Sequence, residues 1–222
     1  MIAVESLTVA FGRTIALDAI DLEISAGITG VFGPNGSGKS TLLRAVAGLL
    51  RPSAGTVMID GRSFSLRDES FRRRIGYAGH EAGLYPHLTV AENLKLFADL
   101  YGAPGARVGE LLAGVGLSDR AATYARDLSA SLKRRAAVAR ALVHDPDVLL
   151  LDEPYANLDD DASEMISAAV RSWCTAGRAA LIATHGAKRV KAYAGGGIIL
   201  RDGRVVVAGT YGAPGRARVK PS

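Results

Sequence analysis

The chain of 222 residues contains one cysteine, Cys174. That excludes an intrachain disulfide framework and a one-chain cysteine-rich zinc site. No apolar run approaches the roughly 18 residues that a membrane-spanning helix needs. The opening stretch, Met1 to Ala10, carries Glu5 and lacks a basic segment, so no signal peptide is expected. Internal repeats and low-complexity tracts are also missing. Charge is nearly balanced, with 27 Lys and Arg against 22 Asp and Glu, a net +5. This small excess suits nucleic acid, an anionic membrane surface or anionic small ligands, and it equally suits solubility alone. What is present is 48% hydrophobic and 22% charged, a globular rather than a disordered composition. The length allows one large domain or one domain carrying an insertion. A soluble protein in a reducing, cytoplasmic setting is expected. Arg216, Arg218 and Lys220 lie among Gly and Pro, so residues 210–222 are predicted to form a flexible basic tail.

Ala3–Val9 and Leu17–Ile24 alternate as half-buried strands do, with a turn at Gly12 between them. Ile28–Phe32 is a short apolar strand that runs into a glycine-rich turn. Leu42, Leu43, Val46, Leu49 and Leu50 then recur at helical spacing, and Pro52 is expected to stop that helix. Val57 and Ile59 belong to a hairpin closed by Asp60-Gly61. From about Pro86 to Ala141 the pattern is helical, punctuated near Gly102–Gly105 and Gly114–Gly116. Thr89 and Glu92 form a capping box ahead of the stripe Val90, Leu94, Phe97 and Tyr101. Val148–Leu151 reads as a buried strand, and helix, strand and turn alternate from there to about Gly209. The order implies a mainly parallel sheet with helices on its faces and an inserted helical subdomain.

Gly33-Pro34-Asn35-Gly36-Ser37-Gly38-Lys39-Ser40-Thr41 fits the pattern G-x-x-x-x-G-K-[ST], after a strand and at the start of a helix. Glycines let backbone N–H groups turn inward and approach phosphate oxygens. The helix N-terminus adds its positive end. Lys39 brings a mobile charge to β- and γ-phosphates, and the Ser40 hydroxyl suits Mg²⁺. Farther on, the apolar run Val148–Leu151 ends in Asp152-Glu153. The C-terminal end of such a strand is where open α/β sheets bind ligands. Alternation along an extended chain sends the two acids in different directions. One then serves a metal's hydration shell and the other an attacking water.

With both motifs in place, the chain resembles the nucleotide-binding subunit of ATP-binding cassette (ABC) transporters over roughly Ile2 to Gly209. The resemblance implies a P-loop NTPase (RecA-like) α/β core with a mainly parallel sheet, an N-terminal antiparallel β subdomain and a helical subdomain at about 84–141. Residues 1–209 then form a single ATPase domain. Asp152 resembles the family's Walker B magnesium ligand, and Glu153 its general base. Asp159, in Ala156-Asn157-Leu158-Asp159, resembles the D-loop acid. His185, after the strand Ala180–Ala183, resembles the switch histidine that contacts the γ-phosphate. Phe11 stands where the family stacks an aromatic on adenine, and a core role for it is the alternative.

Two segments depart from the family pattern. Leu128-Ser129-Ala130-Ser131-Leu132 occupies the signature motif, usually Leu-Ser-Gly-Gly-Gln. In the family this segment closes over the ATP of the opposite subunit. Ser129 keeps its hydroxyl, while the side chain of Ser131 obstructs close backbone approach and penalises any positive φ. Weakened hydrolysis is expected at the site it completes, with a serine N-cap as partial compensation. In Ile75-Gly76-Tyr77-Ala78-Gly79-His80-Glu81, His80 stands at the usual Q-loop glutamine, and Glu81 is the alternative if the loop shifts by one residue. This segment is similar to that of small exporter ATPases, including the haem-exporter type.

The resemblance implies a dimer with an identical or homologous cassette that closes on ATP and Mg²⁺, peripheral on the inner face of the membrane. Separate transmembrane subunits are the other partners, and no nucleic acid is expected. Leu84-Tyr85-Pro86-His87-Leu88 is the candidate docking surface, or else a loop packed on its own domain. The alternatives are a soluble cassette ATPase acting on nucleic acid and a regulatory ATP-binding pseudo-enzyme.

Overall fold

The computed structural model describes residues 1–63, 68–175 and 177–210, with the backbone of residues 217 and 218. In chain order the elements are β1 (Ile2–Phe11), β2 (Thr14–Ile24), β3 (Gly27–Phe32), α1 (Lys39–Val46), β4 (Ala54–Ile59), β5 (Arg62–Ser63), α2 (Glu69–Arg72) and β6 (Ile75–Ala78). Then come α3 (Val90–Tyr101), α4 (Ala106–Gly114), α5 (Ala130–Leu142), β7 (Val148–Asp152), α6 (Asp160–Trp173), β8 (Ala179–Ala183), α7 (Ala187–Lys191), β9 (Gly196–Arg201), β10 (Arg204–Thr210) and β11 (Ala217–Arg218). The chain divides into two compact units, residues 1–72 with 176–222, and residues 73–175.

The first unit holds an antiparallel sheet in the order β11-β2-β1-β4-β5. In β1 the buried residues are Ile2, Val4, Leu7 and Val9, with a step of three where alternation calls for two. Ser6, at φ 45, takes up the extra residue as a bulge, so both halves of the strand keep their apolar side chains on the core face. Asp60 and Gly61 both have positive φ and close the β4–β5 hairpin, as the Asp-Gly pair predicts. The unit also holds β10, β9, β3 and β8 side by side, with β3 parallel to both β8 and β9. Of the expected tail, only Thr210 and the backbone of β11 are described, and the other residues of 211–222 lie outside the described residues.

The helix predicted through Leu50 ends sooner. Helix α1 stops at Val46, and Gly48, at φ 67, turns the chain out while Leu49 is exposed. A glycine in the left-handed region ends a helix before a downstream proline is reached.

In the second unit, β6 and β7 pair in parallel from Ile75↔Val148 to Ala78↔Leu151. Helix α5 lies directly on β6: a Cβ on Gly76 would fall 2.1 Å from the Ala141 carbonyl oxygen. A core of Val90, Leu94, Leu112, Val115, Leu117, Leu128, Ala136 and Ala139 joins the helices. The Thr89–Glu92 capping box forms as the sequence predicts.

Candidate functional site

In the first unit the loop Gly33–Gly38 leaves the end of β3 and turns into α1. Gly33 and Gly38 have φ of 150 and 100, where L side chains are strained. Space forbids a side chain as well: a Cβ on Gly33 would lie 2.2 Å from the Leu200 carbonyl oxygen, and one on Gly38 would lie 2.8 Å from that of Ala16. Gly36, at φ 79, faces open space. Pro34 O accepts from Ser37 N at 3.2 Å, and Ser37 O accepts from Gly203 N, so both ends of the loop are anchored. Ser37 is buried, and its hydroxyl has no hydrogen-bond partner among the described residues. Gly38 caps α1 without a side chain, so the first N–H groups of the helix keep their donors.

Lys39 is only 6% exposed, and its Nζ donates to Gly33 O at 2.8 Å and Pro34 O at 3.0 Å. The ammonium is therefore held over the loop it follows. Asn35 and Ser40 are exposed, and Thr41 is half-buried. The arrangement is a concave run of backbone donors with a folded-back cation, the chemistry that recognises a polyphosphate.

His185 lies at the same sheet end. Val31 pairs with Ala183, and Thr184 N donates to Val31 O at 3.0 Å, so β8 leaves the sheet beside the exit of β3. Thr184 is buried, with its Oγ1 accepting from Gly186 N, and His185 is exposed. Phe11 ends β1 opposite Thr14 and is half exposed, which leaves its ring available for stacking rather than core packing. The structure thus gathers the loop, His185 and the hairpin bearing Phe11 within one unit.

The second unit gathers the other candidates. Asp152 is the last residue of the wholly buried strand β7. Glu153 is half-buried and not extended. Its φ of 49 places it in the left-handed region, so the turn rather than strand alternation separates the two acids. Ala156 N donates to Glu153 O, and Asn157, at φ 59, takes a second left-handed position, which asparagine tolerates. Asp159 caps α6, its Oδ1 accepting from Ala162 N at 2.7 Å. This structural use is legible in the run Asp159-Asp160-Asp161 ahead of an amphipathic segment.

Ser129 caps α5, accepting from Leu132 N at 3.3 Å. Ala130 and Ser131 form its first turn. Ser131 is helical, so the expected positive-φ penalty does not arise there, and the added hydroxymethyl group is the remaining difference from glycine. His80 and Glu81 are both exposed just beyond β6.

Two further side chains were not singled out in the sequence. Arg134, on α5, donates from Nη1 to Gly79 O at 2.7 Å. Burial lowers its pKa, and the carboxylates of Asp152 and Glu153 oppose that shift. Asn93 is fully buried: its Oδ1 accepts from Tyr85 N at 2.7 Å, and its Nδ2 donates to the carbonyls of Tyr85, Leu88 and Thr89. It holds the segment 84–88 in shape while Tyr85 is 52% exposed. A lone polar residue in an apolar helix face was the signal.

A family profile described as ABC transporter matches residues 17–156. The chain is 39% identical over 180 residues to the Nod factor export ATP-binding protein I of Cupriavidus metallidurans, a match covering 79% of this chain and 59% of that protein. It is 35% identical to the daunorubicin/doxorubicin resistance ATP-binding protein DrrA of Streptomyces peucetius, over 95% of this chain and 66% of that one. The chain therefore spans about three fifths of the length of these relatives. Among solved structures, an ATP-binding subunit of an ABC transporter superposes with a TM-score of 0.87 at 27% identity, covering 95% of this chain and 90% of that one. A dimeric ATP-binding cassette bound to ADP and phosphate gives 0.85 at 28% identity, covering 95% and 98%.

Proposed function

The chain belongs to the ABC transporter family, and from that premise we propose that it binds and hydrolyses ATP with Mg²⁺ to drive a transporter. The observation that carries this reading is the loop Gly33–Lys39, where two glycines without room for a Cβ, a buried Ser37 hydroxyl and a folded-back Lys39 make a fit for phosphate oxygens. Ser40 and Asp152 supply a hydroxyl and a carboxylate, the hard oxygen donors that suit Mg²⁺. When bound, the metal offsets charge on the β- and γ-phosphates.

The work of the chain is then positioning and charge neutralisation. Lys39 exchanges its two carbonyl acceptors for phosphate oxygens. The amides of the loop and of the first turn of α1 hold the remaining oxygens. Glu153 orients water and accepts its proton, and His185 contacts the γ-phosphate. Phe11 stacks on the base. Ser129 and the first turn of α5 serve the nucleotide of a second cassette, identical or homologous, as the dimeric relative supports. His80, at the Q-loop position, offers one hydrogen bond near the metal's water. No helix among the described residues is long and apolar enough to cross a membrane. On the transporter reading, membrane subunits receive the motion at the inner membrane face, docking on the segment 84–88 that Asn93 shapes.

The Ala130-Ser131 departure favours one second reading, a cassette that binds ATP and regulates a partner without turnover. Hydrolysis by the wild-type chain and by Glu153→Gln separates the two. Loss of the general base is expected to lower the rate by roughly 100-fold or more while ATP still binds. Equal rates would defeat the catalytic reading, and absence of any Mg²⁺-dependent affinity for ATP would defeat the whole assignment.

A further inference from the structure

Helix α5 ties down the end of β6 and the residue just beyond it with two arginines in different surroundings. Arg140 donates to Tyr77 O at 2.9 Å and lies over the Phe97 ring at 4.8 Å, an aromatic setting. Arg134 donates to the next pinned carbonyl, Gly79 O, at 2.7 Å. Gly79 is buried, directly precedes His80 and has no room to spare, since a Cβ there would lie 2.7 Å from the Tyr77 hydroxyl. The carboxylates of Asp152 and Glu153 favour the charged form of Arg134 against the burial that disfavours it. Arg134 follows the N-cap Ser129 by five residues, about 7.5 Å along the helix axis. One guanidinium therefore connects the signature helix to the turn that presents His80.

We propose that Arg134 is a positioning residue for hydrolysis, fixing the Gly79–His80 turn through its bond to the Gly79 carbonyl. The proposal rests on the ATPase reading above. A guanidinium combines a directed donor with a fixed charge, whereas lysine offers a point charge and glutamine a donor without charge.

The test compares the full chain with Arg134→Gln and Arg134→Lys by Mg²⁺-ATP turnover, by affinity for a fluorescent ATP analogue and by amide hydrogen exchange at residues 79–81. Arg134→Gln is expected to lower kcat by roughly tenfold or more, the scale of a lost charge-assisted hydrogen bond, with nucleotide affinity held within about twofold. Exchange at His80 and Glu81 should quicken. Arg134→Lys should recover part of the turnover. A kcat for Arg134→Gln within about twofold of wild type overturns the proposal, as does a loss of affinity equal to the loss of kcat. A wild-type chain without turnover would instead sink the ATPase reading, and the exchange at residues 79–81 would then decide the positioning role alone.

Discussion

Gly38 shows how a single atom decides a site. Its φ of 100 and the Ala16 carbonyl 2.8 Å from a hypothetical Cβ leave alanine no relaxed position. Gly36 shares the positive φ but meets nothing within 4 Å. Gly38→Ala is therefore expected to cost about 2 kcal/mol or more in urea denaturation, against about 1 kcal/mol for Gly36→Ala, where backbone strain acts alone. Equal costs would show that the crowding at Gly38 relaxes freely. At this scale the loop was legible in the sequence, because its glycines, lysine and hydroxyls follow a spacing that phosphate chemistry dictates. The left-handed Glu153 was not legible, since an acid after an apolar run reads as extended chain.

Among the elements, those fixed by local signals matched expectation: the Asp60-Gly61 hairpin, the Thr89 capping box and the buried strands β7 and β8. The ones that escaped depend on distant partners. A two-residue strand such as β11 exists only because β2 offers it an edge. The extra residue in β1 becomes visible only when Leu7 is seen opposite Ile20. Helix α5 combines both kinds of information. Its Ser129 cap was anticipated from local chemistry, and the target of Arg134 was not. Ser129→Ala is expected to lose about 1 kcal/mol of stability through the uncapped Leu132 amide, read by chemical denaturation. Ser131→Gly is expected to raise ATP turnover in a homodimer by clearing the helix N-terminus. An unchanged rate would mean that the segment is already competent or that a partner cassette supplies the working one.

On the scale of the whole molecule, stability is expected to respond to pH through His144. Its ring stacks on Tyr101 at 4.1 Å between centroids, and Nε2 donates to Ile75 O at 3.1 Å. Burial lowers its pKa, the Ile75 bond opposes this, nearby Arg140 and Arg107 lower it further, and Asp145 raises it. The unfolded chain therefore binds a proton more readily than the folded one. Its contribution is fully present above the unfolded value of about 6.5 and is lost as pH falls toward the lower folded value. The melting temperature should drop over that window, and His144→Gln should flatten the slope; an identical slope in the variant would remove His144 as the cause. The two pinned carbonyls under Lys39 carry a different consequence. An incoming anion must outbid Gly33 and Pro34 for the same ammonium, so chloride or a lone carboxylate gains little on arrival. On the proposed reading, a multiply charged guest that also engages the amides recovers what the lysine gives up, so nucleoside triphosphates are expected to compete for this ammonium far better than monovalent anions.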